Sequence, residues 1–545
     1  MGVVRLACAI VFAAQRFLVL EDTTTRFRSA GRAALSYRLL PCGDGANGSL
    51  RQSARRLGRE MSLAIIFFYL AMVLLLGGLS HKLFRNTGED YFVASRTINW
   101  FILLMTLFGT NMTAFSILGA SGEAYHRGIG VFALMASSSA IVMPCVFLFI
   151  GTRLWRLGKR FGYMTQAQYF RDRWESDGLG LLLFVVFVLL LIPYLLIGVM
   201  GGGGTLATLT DGKIPQWGGG LLICAVVLCY VTYSGMRGTA WVNTFQTLIF
   251  MTLGGITFFV ITNRMGGFSN AISKVDTGLL MQAEHIKPLE LLTYLCIPLS
   301  VGMFPHIFSH FLTAKDVGTF RYAIILYPLC IAIVWIPSVL LGILGSVDVP
   351  GLKGAQANNV LIQMISMHAP GVLAGFLGAG VFAAIMSSLD SQSLAIGSMF
   401  THDIVEHYRR EAFSEKQKVW VGRLFVSGVL CITYLISLIA TPSIFRLAIW
   451  SFTGFAGLFP IVVAALFWRR STKLGVFAAI ISVILLWLYF FLQNWRTPGY
   501  SVGGTGIMPA AILIAVSSVT LIVVSLFTKP PNSQTLEKFF GYNKI

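Results

Sequence analysis

Apolar residues in this chain come in runs of about 20, the length a helix needs to cross the hydrocarbon of a bilayer. Thirteen such runs are present, at roughly 62–79, 98–121, 128–151, 178–201, 216–234, 241–262, 288–309, 321–346, 371–397, 420–440, 445–468, 473–493 and 508–527. Short polar loops separate them. The pattern therefore predicts an all-α polytopic membrane protein with about 13 transmembrane helices.

Three of the runs carry groups that a plain spanning helix does not need. The second has Gly109-Thr110-Asn111-Met112-Thr113 at its middle. Glycine tolerates irregular backbone, and Asn and Thr satisfy freed peptide groups. The seventh has Pro298 and then Phe304-Pro305-His306. Proline removes a donor and breaks the helical ladder. These two runs are five apart. Five plus five spans, 98–262 and 288–468, is the count of an inverted-repeat transporter core, and a five-span offset reverses orientation. The two broken helices would then face each other near the midplane, where such carriers bind their cargo.

The ninth run reads GVFAAIMSSLDSQSLAIGSMFTHD from Gly380 to Asp403. A carboxylate in hydrocarbon is expensive, so Asp390 is expected to face a cavity or ion path. Ala384, Ser387, Ser388 and Ser391 fall at i, i+3, i+4 and i+7, one face of a helix. Serines also let helices pack closely and bond back to their own carbonyls. A carboxylate beside them is not needed for packing.

Composition agrees with the spans: 56% of residues are hydrophobic and 12% charged, against about 25% charged in soluble domains. The formal net charge is +19. In a soluble chain that would suggest nucleic acid. Here the cations lie in alternate short loops, such as Arg153, Arg156, Lys159 and Arg160, or Arg469, Arg470 and Lys473. Such loops are expected on the cytoplasmic side. The first span would enter from outside and the C-terminus would lie in the cytoplasm, with the chain multi-pass in the plasma (inner) membrane. Residues 1–60 hold ten Arg against four acids and sit awkwardly outside. Three readings stand: a start at Met61, a cleaved signal over 1–14, or a disordered extension. Six of the eight cysteines sit in apolar runs without metal-ligand spacing and are read as core residues.

Five segments carry a resemblance. They are YFVASRTINWFILLMTLFGTNMTAFSILGASGEAY (91–125), YSGMRGTAWVNTFQTLIFM (233–251), FPHIFSHFLTAKD (304–316), GVFAAIMSSLDSQ (380–392) and FRLAIWSFTGFAGLFPIVVAALFWRRSTKLG (445–475). In this order the chain resembles the sodium/solute symporters, which include bacterial proline, pantothenate, sialic acid and galactose carriers and human glucose and monocarboxylate cotransporters. The resemblance implies an inverted-repeat core, one helix before it, two after it, and alternating access driven by Na⁺. The chain then divides into a basic extension (1–60), a first helix and loop (61–97), two five-helix repeats (98–263 and 264–470), and two further helices with a tail (471–545).

The resemblance also implies roles. The shared sodium site falls on Gly109, Met112, Ala384, Ser387 and Ser388. A second ion in some members uses positions matching Asp390 and Ser391 with an aspartate that is Asn243 here, so the number of ions stays open. Where sugar carriers have Glu and Gln, this chain has Phe115 and Ser116. Pro305-His306 resembles the proline and monocarboxylate branches, although His310 stands where many members have arginine. The leading expectation is Na⁺ symport of a small organic solute, a carboxylate or amino acid before a sugar, with Asn111, Thr113, Ser116, Phe304 and His306 lining its cavity. A proton-coupled or uncoupled carrier and a transporter-like sensor are the alternatives. No enzyme motif, nucleic-acid partner or obligatory protein partner is indicated.

Overall fold

The protein is described here from a computed structural model covering residues 45–81, 92–281, 285–408, 414–439, 443–496 and 501–541. The readings of residues 1–44 lie outside the described residues. Among the described residues, ten helices are long and apolar enough to cross a membrane, and two bent pairs raise this to twelve. The shorter apolar helix Gln216–Thr232 lies where the fifth run is predicted. It meets the sixth span, Gly235–Arg264, at a kink where Gly235 takes φ 57°, a conformation that favours glycine.

The bent pairs are the two spans predicted to break. In the second, Asn99 caps the helix by accepting from the Ile102 amide at 3.0 Å, and helix Trp100–Asn111 runs until Met112 turns extended. The chain then restarts over Phe115–Arg127 at 59° to the first half. Thr113 makes the restart: its Oγ1 accepts from the Phe115 amide at 2.9 Å, and its carbonyl accepts from the Ser116 amide and hydroxyl. In the seventh, Pro288–Gly302 and Pro305–Thr313 meet at 56°. Phe304 is extended there, and Pro305 opens the new helix, where its missing N–H is harmless.

Span nine, Gly371–Tyr408, is the axis of the fold. Every residue from Leu377 to Met399 is buried. A helix buried all round needs no amphipathic stripe. Its serines and Asp390 therefore meet protein rather than lipid. Span four, Asp177–Leu209, reaches the broken second span through Gly201: a Cβ there would stand 2.8 Å from the Ala114 Cβ. The cysteine reading needs correction. Cys224 and Cys330 are buried, but Cys145, Cys229 and Cys431 are exposed on outward faces of their helices, where lipid accepts a thiol as readily as a core does.

Gly342 of span eight packs against the second half of span two, where a Cβ would lie 2.2 Å from the Ser121 carbonyl oxygen. Backbone on both sides leaves little to yield. Gly342→Ala is expected to destabilise the fold by about 1–3 kcal/mol, as overpacked cores do, and to lower the melting temperature of detergent-purified protein.

Candidate functional site

The break in span two leaves backbone carbonyls without a helical donor, and span nine supplies one. The Ser387 hydroxyl stands 2.9 Å from the Gly109 carbonyl and 3.0 Å from the Ala384 carbonyl. One proton thus serves two acceptors, and three oxygens converge on one point. The Ser388 hydroxyl turns to its own helix, 3.1 Å from the Ile385 carbonyl. Met112 brings its sulfur to Trp335, whose Nε1 donates to it at 3.1 Å. Of the five residues assigned to a sodium site, the structure ties Gly109, Ala384 and Ser387 together and leaves Met112 and Ser388 with other partners. Neutral oxygens suit a hard cation. The Ser387 proton need only rotate away for its lone pair and both carbonyls to face an ion. Space at Gly109 is limited by Thr247, because a Cβ would fall 2.0 Å from its Oγ1.

One turn further along span nine lies a second buried cluster. Asn243 donates from Nδ2 to Thr110 Oγ1 at 3.0 Å and to Ser391 Oγ at 2.8 Å. His310 Nε2 stands 3.1 Å from each of those hydroxyls. Ser391 donates to Asp390 Oδ1, and the Tyr230 hydroxyl donates to Asp390 Oδ2, both at 3.0 Å. The three residues set aside for a second ion are therefore together. Their amide and hydroxyl protons are spent on one another and on the carboxylate. Thr110, Tyr230 and His310 complete the cluster.

Two cavities lie along spans two and eleven. A small one, about 20 Å³, is bordered by both helix breaks and is lined by Asn111, Ser139, Phe304, Trp335 and Phe452, among others. Asn111 is held there by donating to the Tyr327 hydroxyl and the Met143 sulfur, each at 3.0 Å. Of the five predicted substrate residues, Asn111 and Phe304 are on this wall. Thr113 and Ser116 are spent on the break. His306 is wholly buried, stacked on Phe304 at 5.0 Å, with neither ring nitrogen bonded. A larger cavity of about 540 Å³ opens at the end where span two finishes, between Glu123, Arg127, Glu290, Arg446 and Trp450. The Phe115 ring touches Phe445 of this vestibule and Phe452 of the small cavity, at 5.6 and 5.3 Å, and stands between them. The opposite end is sealed. Ile98 donates to the Thr313 carbonyl and accepts from the Lys315 amide, both at 3.0 Å, and Trp155 Nε1 donates to the Ala314 carbonyl at 2.7 Å.

Residues 91–482 match the model of the sodium:solute symporter family. The chain belongs to that family. It is a membrane transporter and not an enzyme. Among its relatives, the osmoregulated proline transporter of Bacillus subtilis is 25% identical over 89% of this chain and 98% of its own length. The sodium/proline symporter of Escherichia coli is 24% identical, over 86% and 94%. The sodium/pantothenate symporter of the same organism is 26% identical, over 81% and 93%. A solved Na⁺-coupled sialic acid symporter shares the fold with a TM-score of 0.71 at 18% identity, covering 87% of this chain and 99% of that one. The shared fold is the inverted-repeat transporter fold.

For this symporter the sequence left several site residues unmarked. Ser139, Met143 and Trp335 resemble ordinary span residues until the helices are assembled. Thr110 was visible only as part of a polar run, Tyr230 gave no sign of meeting Asp390, and His310 gave none of meeting Thr110 and Ser391. The Phe115 ring makes one test immediate. A cysteine at Ser139, on the small cavity, is expected to react slowly with water-soluble thiol reagents. Adding Phe115→Ala should speed that reaction by about an order of magnitude, since losing a buried aromatic side chain opens a void next to the vestibule. Rates are read by mass spectrometry against the parent cysteines.

Proposed function

We propose that this symporter couples the inward movement of Na⁺ to uptake of a small carboxylate-bearing or amino-acid solute. The observation that carries the reading is the meeting of Ser387 with the Gly109 carbonyl across the broken second span. It places oxygens from two helices at one point, so an ion there would hold the two helices in one arrangement. Each positive charge moved inward gains about 2.3 kcal/mol per 100 mV of membrane potential. Asn111 and Phe304 contact the solute in the small cavity, and His306 behind Phe304 comes into play when the cavity enlarges. The neutral, largely apolar wall and the small volume favour a compact solute. The proline and pantothenate relatives support a carboxylate. The repeats 98–263 and 264–470 move against each other around this site.

Charge placement supports the orientation. Arg96, Arg153, Arg156, Lys159 and Arg160 lie toward the sealed end, which faces the cytoplasm on this reading. The vestibule then faces outward, and the structure is outward-facing with its small cavity closed.

We infer one Na⁺ per cycle. Asn243 turns N–H groups, not a carboxylate, toward Thr110 and Ser391, and Asp390 is already taken by two hydroxyl protons. A cation would have to displace those donors.

Two measurements in proteoliposomes test this. A polar group facing a charge contributes about 1.5–3 kcal/mol, so Ser387→Ala is expected to raise the half-saturating Na⁺ concentration by about 10–100-fold. Unchanged sodium dependence, or uptake driven by an imposed pH gradient in Na⁺-free medium, overturns the reading. For stoichiometry, the parent should show a hyperbolic Na⁺ dependence, and Asn243→Asp should make it sigmoidal. A sigmoidal parent curve sinks the single-ion reading.

A further inference from the structure

The 540 Å³ vestibule holds two arginines in different circumstances. Arg127 is compensated: both carboxylate oxygens of Glu290 accept from its Nη2 at 2.8 Å, Glu123 stands at 3.4 Å, and the His285 carbonyl accepts at 3.0 Å. Arg446, half-buried on the facing wall, has no ion-pair partner among the described residues. A guanidinium partly withdrawn from water without an anion is expensive to keep, and its planar fork matches a carboxylate.

Arg446 does not stand alone. It opens the helix Ile444–Gly457, whose cap is Ser443, accepting from the Arg446 amide at 3.2 Å. The positive end of the helix dipole adds to the charge of the side chain. Arg446, Ile449, Trp450 and Thr453 fall at i, i+3, i+4 and i+7 and line the same cavity from one helix face. Thr453 is 1% exposed and its hydroxyl has no hydrogen-bond partner. A buried hydroxyl left unbonded on a cavity wall marks a missing polar partner. The face thus offers a cation at its mouth, an aromatic platform beneath it, and a free hydroxyl at its floor.

We propose that this face is a docking site for the carboxylate of the incoming solute, separate from the small cavity and divided from it by Phe115. Arg446 receives the carboxylate, Trp450 covers the apolar body, and Thr453 gives or takes the hydrogen bond nearest Phe115. A solute held here waits at the closed aromatic partition before the small cavity opens. The site extends the reading of the chain as a carboxylate carrier, and it requires no sodium, because Ser387 and Gly109 are not on its walls.

Cysteine chemistry on the full chain in nanodiscs tests it. Ile449→Cys places a reporter between Arg446 and Trp450, and Asn358→Cys places a second on another wall. Each is treated with methanethiosulfonates carrying a sulfonate or a trimethylammonium group. The ratio of the two rates should favour the sulfonate and fall by about tenfold on adding Arg446→Gln, the loss of one nearby charge in a poorly screened cavity. Millimolar acetate and L-proline should slow modification severalfold in the Arg446 protein, in Na⁺ or K⁺ alike, and not in Arg446→Gln. The slowing should persist with Ser387→Ala, whose half-saturating Na⁺ concentration for uptake is raised, so failure of the sodium reading and failure of this site give different results. An unchanged rate ratio, no slowing by either carboxylate, or equal slowing by chloride overturns the proposal.

Discussion

A helix interrupted inside a bilayer must find new partners for the peptide groups it frees, and the rest of this structure is arranged around that requirement. At Met112 and Thr113 the second span stops, turns and restarts. Thr113 satisfies the restart with its own side chain and carbonyl. The carbonyls left behind on the first half cannot be served from the same chain segment. Ser387 of span nine serves Gly109, which obliges span nine to lie directly beneath the break, buried on all sides. Small residues make the approach feasible: Gly201 lets span four rest on Ala114, and Gly109 leaves room for Thr247.

The same requirement explains why the ion-site candidates are neutral. Carbonyls freed by a break already point at a shared space, so a hydroxyl is enough to complete a cation's surroundings. The carboxyl group, Asp390, sits a turn away and is held in a different manner, by hydrogen bonds from Ser391 and Tyr230. Two adjacent clusters on one helix therefore differ in kind. One is a set of acceptors sharing a single proton, ready to exchange it for an ion. The other is a hydrogen-bonded set, its amide and hydroxyl protons given to one another and to Asp390, that joins spans two, five, six, seven and nine.

Much of the fold was legible because hydrophobic run length and helix-breaking residues act locally. The Gly109–Thr113 stretch and Pro305 announced bends that are present at 59° and 56°. The pairing of Ser387 with span two was legible in outline, since i, i+3, i+4 spacing puts it on one face with Ala384. What stayed hidden depends on assembly. Nothing about His310 alone places its ring between Thr110 and Ser391. Thr113 and Ser116 looked like cavity residues because a polar side chain near a break serves equally as a ligand or as a cap, and only the geometry distinguishes the two. The thiols of Cys145, Cys229 and Cys431 looked like core because an apolar run does not say which of its faces meets lipid.

At the sealed end the closure at Ile98 is made by main chain: an amide and a carbonyl exchanged with Thr313 and Lys315 in the manner of a one-residue sheet. Side-chain latches break by rotation and remain within the protein. A main-chain latch breaks only by handing peptide groups to solvent. Opening this end is therefore a hydration event, and its equilibrium follows the activity of water. Solutes excluded from peptide surface, such as trimethylamine oxide or sucrose, raise the free energy of the opened form without touching any binding site.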